Sequence, residues 1–258
     1  MQTAVLACCV AAAHSMKMPA VSPTGVANQI WDWRGYQVRY QALGEEGDGP
    51  AVLLVHGLFV NADHWRNNLP ALAAAGFRTY AIDLLGSGYS SKPSPTSAAA
   101  RAISGENGRV LGAPMMEIGS AAGEPLPPRP VPLAHPVEGS VYNFYTWGEQ
   151  LADFTQEVIG AESATLVANS IGSISALQAA VDRPELFDGV FVVNPNFREL
   201  HAAEQPPLLR PLVVPLVSAV QKALRDNGQP LFDSLAKPGI VKQILAEPYA
   251  DAAQVAES

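Results

Sequence analysis

The sequence predicts an α/β fold in which a mostly parallel sheet is flanked by helices. Short β-rich runs alternate with helical stretches from Trp31 onward, the pattern of parallel strands joined by crossover helices. One of these runs, Ala51–Val55 (AVLLV), is continuously apolar, which is typical of a strand buried on both faces. With 258 residues and 48% hydrophobic content, the chain is also large enough to bury a sizeable core.

Periodicity and turn residues assign the elements in chain order. Strands are predicted at residues 35–41, 51–55, 78–82, 164–168 and 189–193, and helices at residues 63–75, 146–159 and 171–182. In the middle helix, Leu151, Phe154 and Val158 fall on one face. Thr146 is its expected N-cap, because Glu149 follows three residues later.

Composition divides the chain into five segments. Residues 1–30 contain no acid and one lysine, and we interpret them as a disordered or targeting segment. Residues 31–95 and 141–197 carry the two parts of the core. Between them, residues 96–140 are dense in Ala, Gly, Pro and Ser, which indicates an irregular insertion without a packed core. Residues 198–258 are helical and interrupted by prolines, as expected of a lid segment.

Charge and composition exclude several classes of partner. The formal charge of -8 and the pI near 5.1 would repel phosphate backbones, so nucleic acid is excluded as a partner. Cys8 and Cys9 are adjacent and lack the spacing of a zinc site. No apolar run is long enough to form a transmembrane segment, although peripheral membrane association and the oligomeric state stay open. No motif indicates a metal or an organic cofactor.

The residues with the clearest chemical signature are Ala168-Asn169-Ser170-Ile171-Gly172. They follow a predicted strand and precede a predicted helix, which is the context of a nucleophile elbow. The turn in such a motif is so tight that only small residues fit two positions before and after the serine, and Ala168 and Gly172 meet that requirement. Ser170 is therefore the predicted nucleophile.

Two backbone amides are predicted to stabilise a developing oxyanion. The amide of Ile171 lies at a helix N-terminus, and the amide of Leu58 follows His56-Gly57 at the end of strand 51–55. His56 is expected to be structural, holding its loop by hydrogen bonds. An ordinary strand-to-helix turn would explain Ser170 alone, but the order of the His-Gly strand end, the loop 83–88 and the serine favours the nucleophile.

Several segments resemble the α/β-hydrolases, and in particular the branch of plant and algal chloroplasts that contains pheophytinase and chlorophyll dephytylase. The segments are WDWRGYQVRY, VLLVHGLFVNADHWRNNLP, YAIDLLGSGYSSKP, TWGEQLADF, ANSIGS, LQAAVDRPELF and RPLVVPLV. The resemblance implies an α/β-hydrolase fold, a chloroplast location and attack by Ser170 on the phytyl ester of a chlorophyll pigment. That family in turn resembles broader hydrolases, including dehalogenases and epoxide hydrolases, which use Asp as the nucleophile; Ser170 argues against these activities.

The catalytic acid and histidine of this fold are expected after the serine, each following a later strand. No strand is predicted after residue 193, so we expect the fold to be incomplete at its C-terminus. His201 is the only histidine after Ser170 and is expected to be exposed, while His64 is expected to pack beside Trp65. The later acids lie in helical sequence that follows no strand: Asp226, Asp233 and Asp251.

Three functions therefore remain open from the sequence. The first is a truncated serine ester hydrolase for a large apolar ester, whose lid would include the apolar residues 206–220, although a buried structural segment explains them equally well. The second is a catalytically incomplete protein that binds a ligand without turnover. The third is an interaction module that presents the Pro-rich stretch PLPPRPVPLAHP to a partner.

Overall fold

The computed structural model describes residues 18–95, 97–109 and 138–195, together with positions 219 and 223. The chain divides into two compact units, Met1–Phe197 and Arg198–Ser258, and the architecture below belongs to the first. The predicted lid stretch 206–220 lies outside the described residues apart from position 219.

The described residues form a six-stranded mixed sheet in the order β1-β2-β4-β3-β5-β6. Its strands are β1 (Gln29–Trp33), β2 (Tyr36–Leu43), β3 (Ala51–Val55), β4 (Arg78–Ile82), β5 (Ala164–Asn169) and β6 (Phe187–Val193). β1 and β2 form an antiparallel pair, and β2 joins β4 in antiparallel register. The remaining pairs, β4 with β3, β3 with β5 and β5 with β6, are parallel. The predicted α/β fold with a mostly parallel sheet is confirmed.

Helices follow the strands and pack on the sheet. The α-helices are α1 (Asn68–Ala74), α2 (Ala98–Ala102), α3 (Phe144–Phe154) and α4 (Gly172–Asp182). Short 3-10 helices occupy Ala62–Trp65 and Pro184–Leu186, and α3 continues as a π-helical turn over Thr155–Ile159.

The central strand β3 divides the core into two apolar layers. All five of its residues are buried. Leu53 and Val55 belong to one layer with Phe154 of α3, whereas Leu54 belongs to the opposite layer with Leu69 of α1. Alternate residues of a strand point to opposite faces, so the continuous apolar run that predicted double burial also explains why both faces carry helices.

The single helix predicted at residues 63–75 is wrong. A 3-10 helix covers Ala62–Trp65, and α1 begins separately at Asn68. The reason is Pro70, which has no N–H to donate to the carbonyl of Arg66 and therefore cannot lie inside a continuous helix. The N-cap of the 3-10 helix is Asn61, whose side chain accepts a hydrogen bond from the amide of Asp63.

The predicted N-cap of α3 is also wrong. Asn143 is the cap, and its Oδ1 accepts a hydrogen bond of 2.8 Å from the amide of Thr146. The hydroxyl of Thr146 instead accepts a hydrogen bond from the amide of Gly105. The predicted apolar face is confirmed, since Leu151 and Phe154 are buried in the same layer as Leu53 and Val55 of β3.

The fold begins earlier in the chain than the sequence predicts. An isolated bridge joins Val21 to Ala27, the side chain of Val26 is buried, and β1 begins at Gln29. The interpretation as a disordered segment is therefore wrong for residues 18–30, the interpretation as a targeting segment stays a prediction, and residues 1–17 lie outside the described residues. Backbone hydrogen bonds from Ser22 to Val26 and from Asn28 to Ala20 order this segment, and apolar periodicity in the sequence does not indicate such bonds.

The first part of the presumed insertion is also packed. Gly105 lies so close to α3 that a Cβ would stand 2.5 Å from the amide nitrogen of Thr146. Arg109 forms an ion pair of 2.7 Å with Asp182 of α4. The prediction of irregular structure for 96–140 is thus wrong for residues 97–109, and residues 110–137 lie outside the described residues.

A buried ionic cluster ties β2 to the loops above the sheet. Arg39 of β2 is fully buried, and its guanidinium donates to Asp83 at 3.0 Å and to Asp63 at 2.5 Å. Asp83, which directly follows β4, is also fully buried and accepts hydrogen bonds from the amides of Ala62 and Tyr89. Burial of these charges is tolerated because each one is paired and hydrogen-bonded.

Replacing Arg39 with Met should destabilise the protein by about 3–5 kcal/mol, because Asp83 would remain buried without its counter-charge. Urea unfolding followed by circular dichroism measures this free energy. The control is Arg34→Met, which breaks the partly exposed ion pairs of Arg34 with Glu149 and Asp153 and should cost about 1 kcal/mol or less. Equal losses in the two variants would contradict the prediction.

Candidate functional site

Ser170 occupies the turn between β5 and α4 with a strained backbone. Its φ of +53° lies in the left-handed region, which residues other than glycine rarely adopt. The amide of Ser170 donates to the carbonyl of Val193 in β6 at 3.0 Å, and its carbonyl accepts from the amide of Ser173 at 3.1 Å. These bonds hold the strained turn in place and leave the side chain partly exposed.

Glycines permit close contact between this turn and the end of β3. A Cβ on Gly172 would lie 2.3 Å from the carbonyl oxygen of His56, and a Cβ on Gly57 would lie 2.9 Å from Cβ of Ser170. Any larger side chain at either glycine would force the two backbone segments apart. Ala168, the other small residue of the motif, is fully buried.

His56 is fully buried and uses both ring nitrogens to hold the loops together. Its Nε2 accepts a hydrogen bond of 3.1 Å from the amide of Leu84, which makes Nδ1 the protonated nitrogen that donates to the carbonyl of Gly57 at 2.7 Å. Burial lowers the pKa of His56 below its usual value of 6.5. The imidazole is therefore neutral and linked to two backbone segments.

The amides of Leu58 and Ile171 are the predicted oxyanion donors. Both residues line one cavity, and in the described part of the chain neither amide donates to a protein acceptor. Ile171 has helical φ and ψ of −66° and −23° and precedes the first residue of α4, so its N–H belongs to the free amides of the helix start. Their role as an oxyanion hole stays a prediction.

The cavity beside these amides has a volume of about 370 Å³ and mainly apolar walls. The lining comprises His56, Gly57, Leu58, Leu84, Leu85, Gly86, Ser87, Tyr142, Trp147, Ile171 and Ser175. Hydrogen bonds fix this wall, because Leu85 donates its amide to Gln150 and accepts from Nε1 of Trp147. The hydroxyl of Tyr142 donates to the carbonyl of Pro93, and burial raises the pKa of Tyr142 to about 12.

A second cavity, of about 420 Å³, is lined mainly by charged residues of α3, α4 and their neighbours. These side chains neutralise one another: Arg34 pairs with Glu149 and Asp153 at 2.8 Å, and Arg109 pairs with Asp182. This arrangement is a surface ion-pair network without an unpaired charge to bind a ligand.

A general base for Ser170 is not found among the described residues. Of the two histidines they contain, His56 is held by backbone groups, and His64 lies edge-on to Trp65 at a ring-centroid distance of 5.3 Å, as predicted. The other candidates lie outside the described residues: His201, Asp226, Asp233 and Asp251. Within the described part of the chain, no group of three or more His, Cys, Asp or Glu could hold a metal ion, and no helix could span a membrane.

The sequence does not identify Trp147 and Ser175 as residues of the cavity wall. Trp147 lies in the segment TWGEQLADF, but helical periodicity alone did not indicate that its indole turns towards a loop. Ser175 follows Ile171 by four residues, and this spacing is the signal that both lie on one face of α4.

Comparison with known proteins gives one family and several partial relatives. Residues 50–226 match the family described as alpha/beta hydrolase fold. The bifunctional epoxide hydrolase 2 of Rattus norvegicus is 53% identical over 49 residues, which are 19% of this chain and 9% of that protein. Epoxide hydrolase B of Mycobacterium tuberculosis is 52% identical over 66 residues, 25% of this chain and 18% of that protein. The match thus spans less than a fifth of the length of each of these two relatives.

Solved structures show partial overlap as well. The thioesterase domain from the curacin biosynthetic pathway aligns with a TM-score of 0.49 and 19% identity, covering 78% of this chain and 54% of that one. Epoxide hydrolase A from Mycobacterium thermoresistibile aligns with a TM-score of 0.45 and 24% identity, covering 69% of this chain and 43% of that one.

Replacing Gly172 with Ala should destabilise the protein by roughly 1–3 kcal/mol, since the new methyl group would collide with the carbonyl of His56. Chemical denaturation provides the measurement. Gly189→Ala is the matched control, because a Cβ at Gly189 meets only side-chain atoms of Thr165 at 3.7 Å or more. A Gly172→Ala protein as stable as the Gly189→Ala protein would refute the close contact.

Acidification should reduce stability through His56. The pKa of His56 in the folded state lies below the usual 6.5, so the unfolded chain binds more protons than the folded one as the pH falls below about 6.5. Stability is therefore lost from about pH 6.5 down to the pKa of His56 in the folded state. The free energy of unfolding measured from pH 7.5 to 5 should therefore fall less steeply in His56→Gln than in the unmodified protein. His64→Gln is measured in parallel, because burial also lowers the pKa of His64. Identical slopes for the His56→Gln and unmodified proteins would contradict the assignment.

Proposed function

Because the chain belongs to the alpha/beta hydrolase fold family, we propose that it is a serine hydrolase of carboxylic esters in which Ser170 is the nucleophile. One observation carries the proposal. Ser170 sits at a strained strand-to-helix turn, and its neighbour Ile171 lines the same cavity as Leu58, the other predicted donor whose amide is free. This arrangement suits the attack of a hydroxyl on a carbonyl carbon.

The reaction would proceed in two steps. Oγ of Ser170 bonds to the carbonyl carbon of the ester, and the carbonyl oxygen becomes an oxyanion facing the amides of Leu58 and Ile171. Collapse of this intermediate breaks the bond to the leaving alcohol, which departs with a proton. Water then hydrolyses the acyl-enzyme to the carboxylic acid and restores the serine.

The proton of Ser170 needs a general base, and we propose that this base lies outside the described residues. His56 is unsuitable because its ring nitrogens are bound to Leu84 and Gly57 and its neutral form is buried. His64 packs on Trp65. Without a base, a serine hydroxyl stays protonated near neutrality, and the site would bind esters with little turnover.

A large apolar ester is the proposed substrate class. The support is the cavity, whose walls include Leu58, Leu84, Leu85 and Trp147, together with the resemblance of the chain to chloroplast hydrolases of pigment esters. On that resemblance, the phytyl ester of chlorophyll or pheophytin is the specific form of this proposal, and the chloroplast is the corresponding location.

Epoxide hydrolysis is the second candidate, since the curated relatives described above carry that name. Chemistry favours the ester. A carboxylate nucleophile opens an epoxide to an ester that water can cleave, whereas attack by Ser170 would leave an ether that water does not cleave under ordinary conditions. The residue at the elbow thus distinguishes the two reactions.

Replacing Ser170 with Ala should lower the kcat/KM for p-nitrophenyl hexanoate by at least about a hundredfold, because the acylated oxygen is removed. Ser163→Ala, in the loop before β5, is the matched control and should leave the rate unchanged. A fluorophosphonate probe followed by intact-mass measurement should label the unmodified chain once and the Ser170→Ala chain not at all.

Three outcomes separate the candidates. Ester hydrolysis that survives in Ser170→Ala would refute the proposed nucleophile. Diol formation from styrene oxide by the unmodified chain, with no ester cleavage, would favour the epoxide reaction. Binding of esters without labelling or turnover would identify a ligand-binding protein instead of an enzyme.

A further inference from the structure

One side chain in the wall of the cavity has an unsatisfied polar group. Ser175 of α4 is fully buried, lines the cavity, and its Oγ has no hydrogen-bond partner. A buried hydroxyl without a partner is costly, and such groups normally bond to protein or to a bound molecule. The neighbouring wall is apolar. Its polar groups already have partners, because the amide of Leu85 donates to Gln150 and Nε1 of Trp147 donates to the carbonyl of Leu85.

Two neighbouring polar side chains of α4 differ from Ser175. The hydroxyl of Ser173, two residues earlier in α4, donates to the carbonyl of Ala168 at 3.2 Å. Gln178, one turn further along α4, also has a buried Nε2 without a partner, but it does not line the cavity. Ser175 thus combines a free polar group with direct access to the cavity.

The position of Ser175 relates it to the amides of the candidate oxyanion hole. Ile171 and Ser175 are four residues apart in helical conformation, so they lie on the same face of α4, about 6 Å apart along the axis. A ligand whose carbonyl faces the amide of Ile171 and whose chain follows the cavity wall would therefore pass the hydroxyl of Ser175.

We propose that Ser175 is a specificity-determining residue, which donates a hydrogen bond to a second oxygen on the acyl chain of the ester. The rise of about 6 Å separates the Cα atoms, and the side chain of Ser175 leans back towards the helix N-terminus, so we place the second oxygen on the fourth or fifth acyl carbon. The preferred substrate class is then an apolar ester with a keto oxygen at that position. This inference rests on the proposed esterase function and adds a substrate feature to it.

The energetic reason for the preference is the cavity itself. In an apolar cavity, an ester that lacks the second oxygen leaves the hydroxyl of Ser175 without a partner, whereas the keto ester satisfies it. A site that holds a buried polar group rejects a ligand that cannot bond to it. The hydroxyl therefore acts by discriminating between substrates and takes no part in bond cleavage.

The test compares two acyl chains of nearly equal size, p-nitrophenyl 5-oxohexanoate and p-nitrophenyl 5-methylhexanoate, with the 4-oxo isomer included to locate the oxygen. The full chain should prefer an oxo ester in kcat/KM by about fivefold to tenfold, the effect of one neutral hydrogen bond. Ser175→Ala should abolish this preference, so that the ratio of kcat/KM for the oxo and methyl esters falls to about one. Its melting temperature should equal or exceed that of the unmodified protein, because an unpartnered hydroxyl is removed.

Gln178→Met is the matched control, because this variant removes a buried unpartnered group of the same helix that does not line the cavity. It should keep the oxo preference. A preference that survives in Ser175→Ala, equal cleavage of the oxo and methyl esters by the unmodified chain, or a lower melting temperature of Ser175→Ala would each overturn the inference.

A binding experiment tests the role of Ser175 without requiring that the protein cleave the ester. Methyl 5-oxohexanoate and methyl 5-methylhexanoate are titrated into the Ser170→Ala chain, and binding is followed by the fluorescence of Trp147 in the cavity wall, with Trp147→Phe identifying the signal. Tighter binding of the oxo ester, lost on adding Ser175→Ala, supports the inference even if no ester is cleaved. Equal binding of the two esters overturns it, whatever the outcome of the Ser170 experiments.

Discussion

The contact between the start of α4 and the end of β3 is the constraint on which the candidate site depends. Gly172 approaches the carbonyl of His56 more closely than any side chain would allow, and Gly57 does the same towards Ser170. This contact brings the residues of the two free amides, Leu58 and Ile171, to one cavity. The positive φ of Ser170 is the local strain that accompanies this arrangement, and it is maintained by hydrogen bonds to β6 and α4.

A series of buried polar contacts holds the segments around this contact in position. Arg39 holds Asp83 at the end of β4, the next residue Leu84 donates its amide to His56, and His56 donates to the carbonyl of Gly57. Each link is buried, so each polar group has exchanged its water contacts for a fixed protein partner. A buried ion pair adds little net stability compared with apolar packing, but this one fixes the positions of two loops at the candidate site.

The cavity combines an apolar wall with few free polar groups. In the proposed function, these few groups select the substrate, because an apolar wall offers a ligand no other hydrogen bonds. In the proposed reaction, the amides of Leu58 and Ile171 would face the oxygen on which negative charge develops. The hydroxyl of Ser175 lies one helical turn further along α4 and is a fully buried group without a partner. Reaction and recognition would thus be arranged along a single face of α4.

The sequence by itself determined the α/β class, the buried strand β3, the strand-turn-helix around Ser170 and the His-Gly strand end, because these depend on local periodicity and on small residues in tight turns. Tertiary structure alone decided the rest. Burial of Arg39 could not be predicted, since the partner that neutralises it, Asp83, is 44 residues away. Likewise, Ser175 is an ordinary helical serine in the sequence, and only the packing of α3 and the loop after β4 around it creates a cavity in which its hydroxyl lacks a partner.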